Sequence, residues 1–359
     1  MLQSIRINNF RGVGGLEING LARINIFVGA NGSGKTSALE AIGMVSTPGN
    51  PHFLIALASF RDMVGLNAAF DYPLRAYFPA MDPKNTIDIR ARNAQGEIGL
   101  TVLSYQGGQT ATKISSSDGV NPFRPAGGID EVMMTGVRWE YRDADQTLHA
   151  VDAALVPQGF QAPQLVIPDS ASAFFLQARR SNSVAETAQA LTDLLAARRE
   201  AELYDVVKAV DPRLRSLVSG LKGSGSVSIP VVLADVGEAS LFPIQTLGDG
   251  FCRACLIATG LATRGCKTVL VDEIDSGLHF SVMQNFWKSI DRLCTRTGVQ
   301  LFCTTHSEEM LRYAVAAFEN STDHLRVFRI DRNGTGTATA QLYDHHLMTV
   351  SEEAGIEVR

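Results

Sequence analysis

The sequence predicts an α/β fold with a central sheet, an N-terminal antiparallel β lobe and an inserted β plus helical region. An apolar stretch at Ile24–Val28 leads into a glycine-rich loop and then into a helix with apolar residues at helical spacing. Two more apolar stretches, at 267–273 and 301–306, each end in polar residues and flank a helical stretch. Alternating apolar and polar residues near the N-terminus and from residue 86 onward are typical of half-buried antiparallel strands.

Composition places limits on the class of protein. The chain has 359 residues, 45% of them hydrophobic and 19% charged, as expected for one large globular domain with an insertion or for two domains. The net charge of −5 argues against a general polyanion binder, although a local basic patch is compatible with it. No apolar run is long enough to span a bilayer, and the N-terminus has no signal-peptide core. We therefore expect a cytoplasmic protein without membrane attachment.

The five cysteines, an odd number, favour a reducing compartment over a disulfide scaffold. Cys252 and Cys255 form a C-x-x-C, but no second Cys or His pair stands at zinc-binding spacing. We predict that both are small apolar residues on a helix.

The glycine-rich loop carries the most specific pattern in the chain. Residues 29–36 spell G-x-x-x-x-G-K-T, the phosphate-binding P-loop. Glycines allow the backbone N–H groups to turn onto phosphate oxygens, and the following helix adds the positive end of its dipole. Lys35 can reach the β- and γ-phosphates in a catalytic role, and the Thr36 hydroxyl can ligate Mg²⁺. The predicted nucleotide-binding residues here are Gly29, Ala30, Asn31, Gly32, Ser33, Gly34, Lys35, Thr36 and Ser37.

The residues before the loop predict three short strands within 1–28, with glycine turns between them. Arg11, in NNFRG, lies close to the nucleotide loop in sequence. It either faces the phosphates, which makes it a candidate binding residue, or is a solvent-exposed turn arginine.

The middle of the chain predicts mixed structure. A short helix in 52–63 and a meander of strands in 86–115 are expected, followed by a glycine- and proline-rich loop at 115–130 and strands at 137–143 and 148–156. We predict a nucleotide-binding head split into 1–110 and 225–359, with 111–224 as an inserted lid or arm region.

Residues 183–218 form the clearest helical region, and Asp211-Pro212 interrupts it. It is either a projecting arm or a helical pair packed on the same core. Arginines at Arg179, Arg180, Arg198 and Arg199 belong to a solvated face or to a nucleic-acid contact. The glycine-rich segment 220–226 is expected to break this region from a following strand.

An acid pair ends the strand in KTVLVDEIDSGLH (267–279). A buried strand that delivers Asp272 and Glu273 at its C-terminal end suits a P-loop ATPase. Asp272 can hold Mg²⁺ with its water shell, and Glu273 can orient or deprotonate the attacking water. The alternative is a strand followed by a solvated acid pair.

Two more stretches add candidate residues. His306 ends the strand in LFCTTHSEEM and can donate to the γ-phosphate or position the water. In LGDGFCRACL, Gly248, Asp249 and Gly250 lead into a helix whose positive end suits a phosphate, although a plain helix cap has the same pattern.

Together these stretches resemble the ABC-type ATPase head of SMC and OLD-like AAA ATP-binding proteins. GANGSGKT matches Walker A, LGDGF the signature loop, VLVDE Walker B and TTHS the switch histidine, in the family's order. The resemblance implies ATP and Mg²⁺ as cofactors and a head-to-tail homodimer in which Gly248, Asp249 and Gly250 contact the partner's nucleotide. It places Asp275 in the dimer-facing loop. Gly248 stands where many ABC proteins have serine, and no Q-loop glutamine is assigned.

The resemblance implies an ATPase that dimerises on ATP and controls a separate effector, such as a nuclease or toxin, in anti-phage defence or another DNA-linked process. Only 53 residues follow His306 (359 minus 306), too few for the TOPRIM nuclease domain of OLD nucleases, and no heptad repeat suggests SMC arms. Two alternatives stay open: a DNA-binding repair or clamp ATPase, and a nucleotide-dependent scaffold with little turnover.

Overall fold

The computed structural model describes residues 1–61, 63, 71–105, 134–156, 159–163, 165, 167, 172–177, 184–224, 227–334, 336–344 and 346–348. The helices are α1 (Lys35–Ser46), α2 (Phe53–Phe60), α3 (Tyr72–Arg75), α4 (Val184–Ala196), α5 (Ala201–Val210), α6 (Asp249–Ala262), α7 (Phe280–Thr297) and α8 (Glu308–Ala317). Short 3₁₀ turns occupy Pro79–Met81 and Ile244–Leu247.

The strands are β1 (Leu2–Phe10), β2 (Val13–Asn19), β3 (Ile24–Val28), β4 (Ile87–Asn93), β5 (Gly96–Tyr105), β6 (Gly136–Arg142), β7 (Leu148–Val156), β8 (Gly159–Gln161), β9 (Ser172–Leu176), β10 (Ser216–Ser224), β11 (Val227–Asp235), β12 (Phe242–Pro243), β13 (Cys266–Val271), β14 (Gln300–Thr304), β15 (Leu325–Arg332) and β16 (Ala338–Tyr343).

The central sheet has six strands in the order β16-β15-β3-β14-β13-β9. β15, β3, β14, β13 and β9 run parallel, and β16 pairs antiparallel at one edge. Every residue of β3 and of β14 is buried, which explains why both strands are mostly apolar: layers on both faces cover a parallel sheet. The carboxyl ends of the parallel strands share one edge, so the polar residues after them come together there.

The second sheet is the antiparallel lobe, with seven strands in the order β2-β1-β4-β5-β6-β7-β8. In β1, Ile5, Ile7 and Phe10 are buried while neighbouring residues are not, as the alternation predicted. Strands from 136–161 extend this lobe, and Ser172–Leu176 is an edge strand of the central sheet. Residues assigned to the predicted insertion therefore contribute to both sheets, and the division into a split head and an insertion stays a prediction.

Helix α1 lies between the two sheets. Its Leu39 and Ile42 are fully buried in one core together with β1, β4 and the Phe27 face of the central sheet. The opposite face of that sheet, with Ile26 and Val28, packs against α5, α6 and α7 in a second core. Helix α1 is thereby fixed beside the carboxyl end of β3, with the P-loop between them.

The predicted helical region is a pair of helices packed on the core, not an arm. Leu191 and Leu194 of α4 and Leu203 and Val206 of α5 are all buried in the core that also contains α6 and α7. Two details of the prediction are wrong. The last residues, 216–218, are strand, and the glycine-rich segment is not a break, because residues 220–224 pair with β11 in a hairpin whose cross-strand hydrogen bonds override local glycine propensity.

Some predicted features fall outside the described residues, namely the 115–130 loop and Arg179 with Arg180. Arg198 is exposed, and Arg199 pairs with Glu202 at 2.8 Å. Cys252 and Cys255 lie on α6 with free thiols, as predicted. In the part of the chain that the structure describes, no helix combines the length and apolarity needed to cross a membrane.

Candidate nucleotide site

A cavity of about 460 Å³ lies at the carboxyl edge of the central sheet, where the P-loop, the acid pair and the histidine come together. Its lining comes from the β1–β2 turn, the P-loop and α1, the residue after α2, and the ends of β13, β14 and β15. The lining residues are Arg11, Gly12, Val13, Asn31, Gly32, Gly34, Lys35, Thr36, Ser37, Arg61, Asp272, Glu273, His306 and Arg332.

The P-loop owes its shape to its own residues. Gly29 and Gly34 have φ of 136° and 108°, and a Cβ on Gly29 would lie 2.2 Å from the Ile330 carbonyl oxygen. Lys35 Nζ donates to the carbonyl oxygens of Gly29 at 2.7 Å and Ala30 at 3.0 Å. Burial lowers the pKa of Lys35, and the nearby carboxylates of Asp272 and Glu273 oppose that shift. The lysine thus lies inside the loop, at the start of α1.

The predicted metal pair is in contact. The Thr36 hydroxyl donates to the Asp272 carboxylate, at 3.2 Å and 3.3 Å from its two oxygens, across 236 residues of sequence. Thr304 donates to the same carboxylate at 2.7 Å. A hydroxyl and a carboxylate are the hard oxygen ligands that Mg²⁺ prefers, and it commonly binds through one carboxylate, waters and phosphates. The donor set therefore fits Mg²⁺.

Glu273 follows Asp272 in a constrained backbone. Its φ is 51°, a left-handed conformation that non-glycine residues rarely adopt. Thr304 holds it from one side, since the Glu273 N–H donates to the Thr304 hydroxyl at 2.8 Å and the Ile274 N–H to the Thr304 carbonyl at 2.9 Å. Strained residues persist where their surroundings over-determine them, as here.

His306 lies across the cavity, beyond the end of β14. The Thr305 hydroxyl donates to Asp275 at 2.5 Å and accepts from the Ser307 N–H at 3.0 Å. Ser307 in turn caps α8, accepting from the Met310 N–H at 3.1 Å. Residues on both sides of His306 are therefore fixed, and the histidine lines the same cavity as Glu273.

Arg11 is not a solvent-exposed turn arginine. Its side chain is 10% exposed, pairs with Glu40 at 2.6 Å and lies 4.5 Å from the Tyr77 ring centroid. Glu40 is fully buried and also pairs with Arg61 at 2.8 Å. Burial lowers the pKa of Arg11, while Glu40 opposes the shift. One carboxylate thus holds two guanidinium groups at the cavity wall, which leaves a net positive charge there.

The sequence did not point to Glu40, Arg61 or Arg332 as site residues. A charged residue within the apolar face of the P-loop helix was a usable signal for Glu40, because an unpaired carboxylate is rarely buried. No local pattern marks Arg61, which follows a short helix, or Arg332, at the end of β15. Long-range packing alone brings these arginines to the cavity.

Gly248, Asp249 and Gly250 do not line this cavity. They lie where α6 begins, against the turn after the acid pair: a Cβ on Gly250 would be 2.3 Å from the Gly277 carbonyl oxygen. The structure therefore separates the LGDG loop from the P-loop of the same chain.

Gln177 follows β9, the strand beside the acid-bearing β13, and is 9% exposed. It does not line the cavity. Its main-chain carbonyl accepts a hydrogen bond from Arg253 of α6 at 2.9 Å.

Comparison with known proteins adds to this geometry. The family described as "AAA domain, putative AbiEii toxin, Type IV TA system" matches residues 24–312, well over half of the chain. An "ATP/GTP phosphatase" of Helicobacter pylori is 23% identical over 338 residues, which cover 87% of this chain and 86% of that protein. The DNA replication and repair protein RecF of Heliobacterium modesticaldum is 45% identical over 49 residues, 14% of this chain and 13% of that protein.

Among solved structures, an Smc head bound to the C-winged helix domain of ScpA covers 96% of this chain and 97% of its own, at a TM-score of 0.50 and 12% identity. That likeness is one of fold. It agrees with the predicted α/β head with a P-loop and an antiparallel lobe, and the predicted resemblance to SMC-type heads is confirmed. The narrower likeness to OLD-like proteins stays a prediction.

Proposed function

The chain belongs to the family of AAA domains described as putative AbiEii toxin, Type IV TA system, and on that premise we propose that it hydrolyses ATP with Mg²⁺. One observation carries the proposal: Thr36, Asp272, Glu273 and His306 line one cavity with the P-loop. The similarity to an ATP/GTP phosphatase also supports nucleotide hydrolysis.

Each residue has a role in this proposal. Backbone N–H groups of residues 29–36 and Lys35 bind the phosphates, and Thr36 and Asp272 hold Mg²⁺, which when bound neutralises charge on the phosphate oxygens. Glu273 orients or deprotonates the attacking water, and His306 donates to a γ-phosphate oxygen. Arg11 and Arg61 add positive charge that favours a polyphosphate.

Phosphate release tests the proposal. Wild-type protein with ATP or GTP and Mg²⁺ is expected to release phosphate, and release should stop with EDTA. The matched control is Lys35→Met, because any contaminating hydrolase would purify with both proteins. Equal release by wild type and Lys35→Met would refute the assignment.

We also propose that ATP joins two copies head to tail. The LGDG loop contacts Gly277 and not its own P-loop, so Gly248, Asp249 and Gly250 would contact a nucleotide only on a second chain. Glu273→Gln with ATP is expected to have twice the 38.7 kDa mass of one chain by light scattering. The same variant with ADP should stay at the lower mass, and equal masses in both states would refute the dimer.

The output of the cycle is proposed to be control of a separate cytoplasmic effector, a nuclease or toxin, in anti-phage defence or another DNA-linked process. The family description, which names a putative toxin of a type IV toxin–antitoxin system, supports a link between this family and a toxin. Purification from the native host with Glu273→Gln and Lys35→Met as paired baits tests it. A nuclease or toxin retained by Glu273→Gln alone is expected, whereas the absence of such a protein from both baits would contradict effector control.

A second candidate function is a DNA clamp or repair ATPase, which the 49-residue match to RecF favours. DNA affinity that falls steeply with salt, and falls further on Arg198→Ala, would support it. Arg199→Ala is the paired control, because Arg199 is already engaged by Glu202. Phosphate release that is the same with and without DNA, together with undetectable DNA binding, would favour effector control.

A further inference from the structure

Arg253 is a buried arginine on the helix that begins at the LGDG loop. It is 7% exposed, and its guanidinium group lies at the carboxyl ends of β9 and β13. Nη1 donates to the Gln177 carbonyl at 2.9 Å. Nη2 donates to the carbonyls of Asp272 and of Glu273, the latter at 2.8 Å. One side chain therefore joins α6 to three main-chain oxygens beside the cavity.

Two of these oxygens belong to the acid pair, where the chain leaves the strand. The Glu273 peptide groups are held from both sides, because Thr304 accepts from its N–H and Arg253 donates to its carbonyl. Hydrogen bonds from an ionised donor are about twice as strong as neutral ones. Arg253 thus contributes to the left-handed conformation of Glu273, at a φ of 51°, which directs where its carboxylate points.

A second contact links the same helix to the other end of this segment. Gly250 packs so closely on Gly277 that a Cβ on either glycine would overlap the other's backbone. Between the two contacts the segment is short and internally bonded, since the Ser276 N–H donates to the Glu273 carbonyl at 3.0 Å. A displacement of α6 would therefore move residues 272–277 at both ends.

We infer that Arg253 is a positioning residue for nucleotide hydrolysis: it holds the main chain of Asp272 and Glu273 and ties the acid pair to the LGDG loop. The inference rests on the proposed hydrolysis at this site. It requires that turnover depend on Arg253 far more than nucleotide binding does, because this guanidinium group donates to the carbonyls of Gln177, Asp272 and Glu273 and not to the P-loop proposed to bind the phosphates.

The test compares Arg253→Met and Arg253→Lys with Arg23→Met. Arg23 is a matched control, a partly buried arginine that donates to the Cys294 carbonyl at 3.1 Å and stands at the opposite end of β3 from the cavity. We expect kcat to fall about 10- to 100-fold in Arg253→Met, because the variant loses charged hydrogen bonds to the main chain of Asp272 and Glu273. KM and the affinity for a fluorescent ADP should stay within about threefold. Arg253→Lys keeps the positive charge but loses the planar guanidinium group that donates to several carbonyls at once, so its kcat should lie between those of wild type and Arg253→Met.

Hydrogen exchange supplies a readout that needs no catalysis. In Arg253→Met, amides of residues 272–278 should exchange faster than in wild type, while those of residues 29–36 should be unchanged; Arg23→Met should alter neither. Wild-type kcat in folded Arg253→Lys and Arg253→Met, or binding lost in step with kcat, would overturn the inference. If Arg253→Met does not fold, the same measurements of kcat, nucleotide affinity and amide exchange on Arg253→Lys test the inference. A wild type that binds ATP without cleaving it would refute the proposed function alone, and exchange would still decide the role of Arg253.

Discussion

The two halves of the site are held together in different ways. The P-loop, residues 29–36, is shaped by its own glycines and by Lys35, which bonds carbonyls five and six residues away. The acid segment, residues 272–277, is held largely from outside, by Thr304 at the end of β14, by Thr305 just after it and by Arg253 of α6. The half proposed to bind the phosphates is shaped mainly by its own residues, and the half proposed to cleave ATP depends on contacts with other elements. Substitutions should therefore separate binding from turnover.

The largest expected effect concerns a long-range ion-pair network beside the P-loop, in which Glu40 of α1 pairs with Arg11 and Arg61. Glu40→Gln removes the charge that Arg11 and Arg61 share, and breaking a buried ion pair typically costs about 3–5 kcal/mol. We expect a loss of unfolding free energy of that size, measured by urea denaturation. Glu17→Gln is the control, because the Arg6–Glu17 pair at 2.8 Å is exposed, and no measurable change is expected there. Equal stability of the two variants would show that the Glu40 network does not anchor the loop.

The next effect tests whether the P-loop half acts in binding. Lys35→Met should weaken ATP affinity about 10- to 100-fold, the value of a charged hydrogen bond to phosphate. Titration with a fluorescent ATP analogue measures it. Lys267→Met, at an exposed lysine of β13, is the control and should bind like wild type. An ATP affinity of Lys35→Met equal to that of wild type would show that the phosphates do not bind at the P-loop.

A smaller effect tests the acid half. Thr304→Val keeps the buried shape but removes the hydroxyl that donates to Asp272 and accepts from the Glu273 N–H. We expect kcat to fall about tenfold with ATP affinity unchanged, as for one lost hydrogen bond in a site that already binds. Thr268→Val, a buried threonine on β13, should leave both constants unchanged. A loss of ATP affinity as large as the loss of kcat would contradict the proposal that the acid half acts in turnover and not in binding.

The same division explains what the sequence could predict. The P-loop, the acid pair and His306 were predictable because each is a short local pattern at the end of an apolar strand. Arg61 and Arg253 were not, because their roles depend on partners distant in sequence: Arg253 contacts carbonyls 19 and 20 residues on and another 76 residues back. The glycine-rich segment misled for the same reason, since pairing with β11 fixes the conformation of residues 220–224.

The central claim is that one cavity binds ATP through the P-loop and cleaves it through Glu273. A single-turnover experiment with γ-labelled ATP and Glu273→Gln, beside wild type, measures bound nucleotide and free phosphate in the same sample. We predict that the variant retains intact ATP with affinity within about threefold of wild type and forms phosphate about 10²- to 10⁴-fold more slowly. Cleavage at the wild-type rate, or failure of the folded variant to bind ATP, would contradict the account.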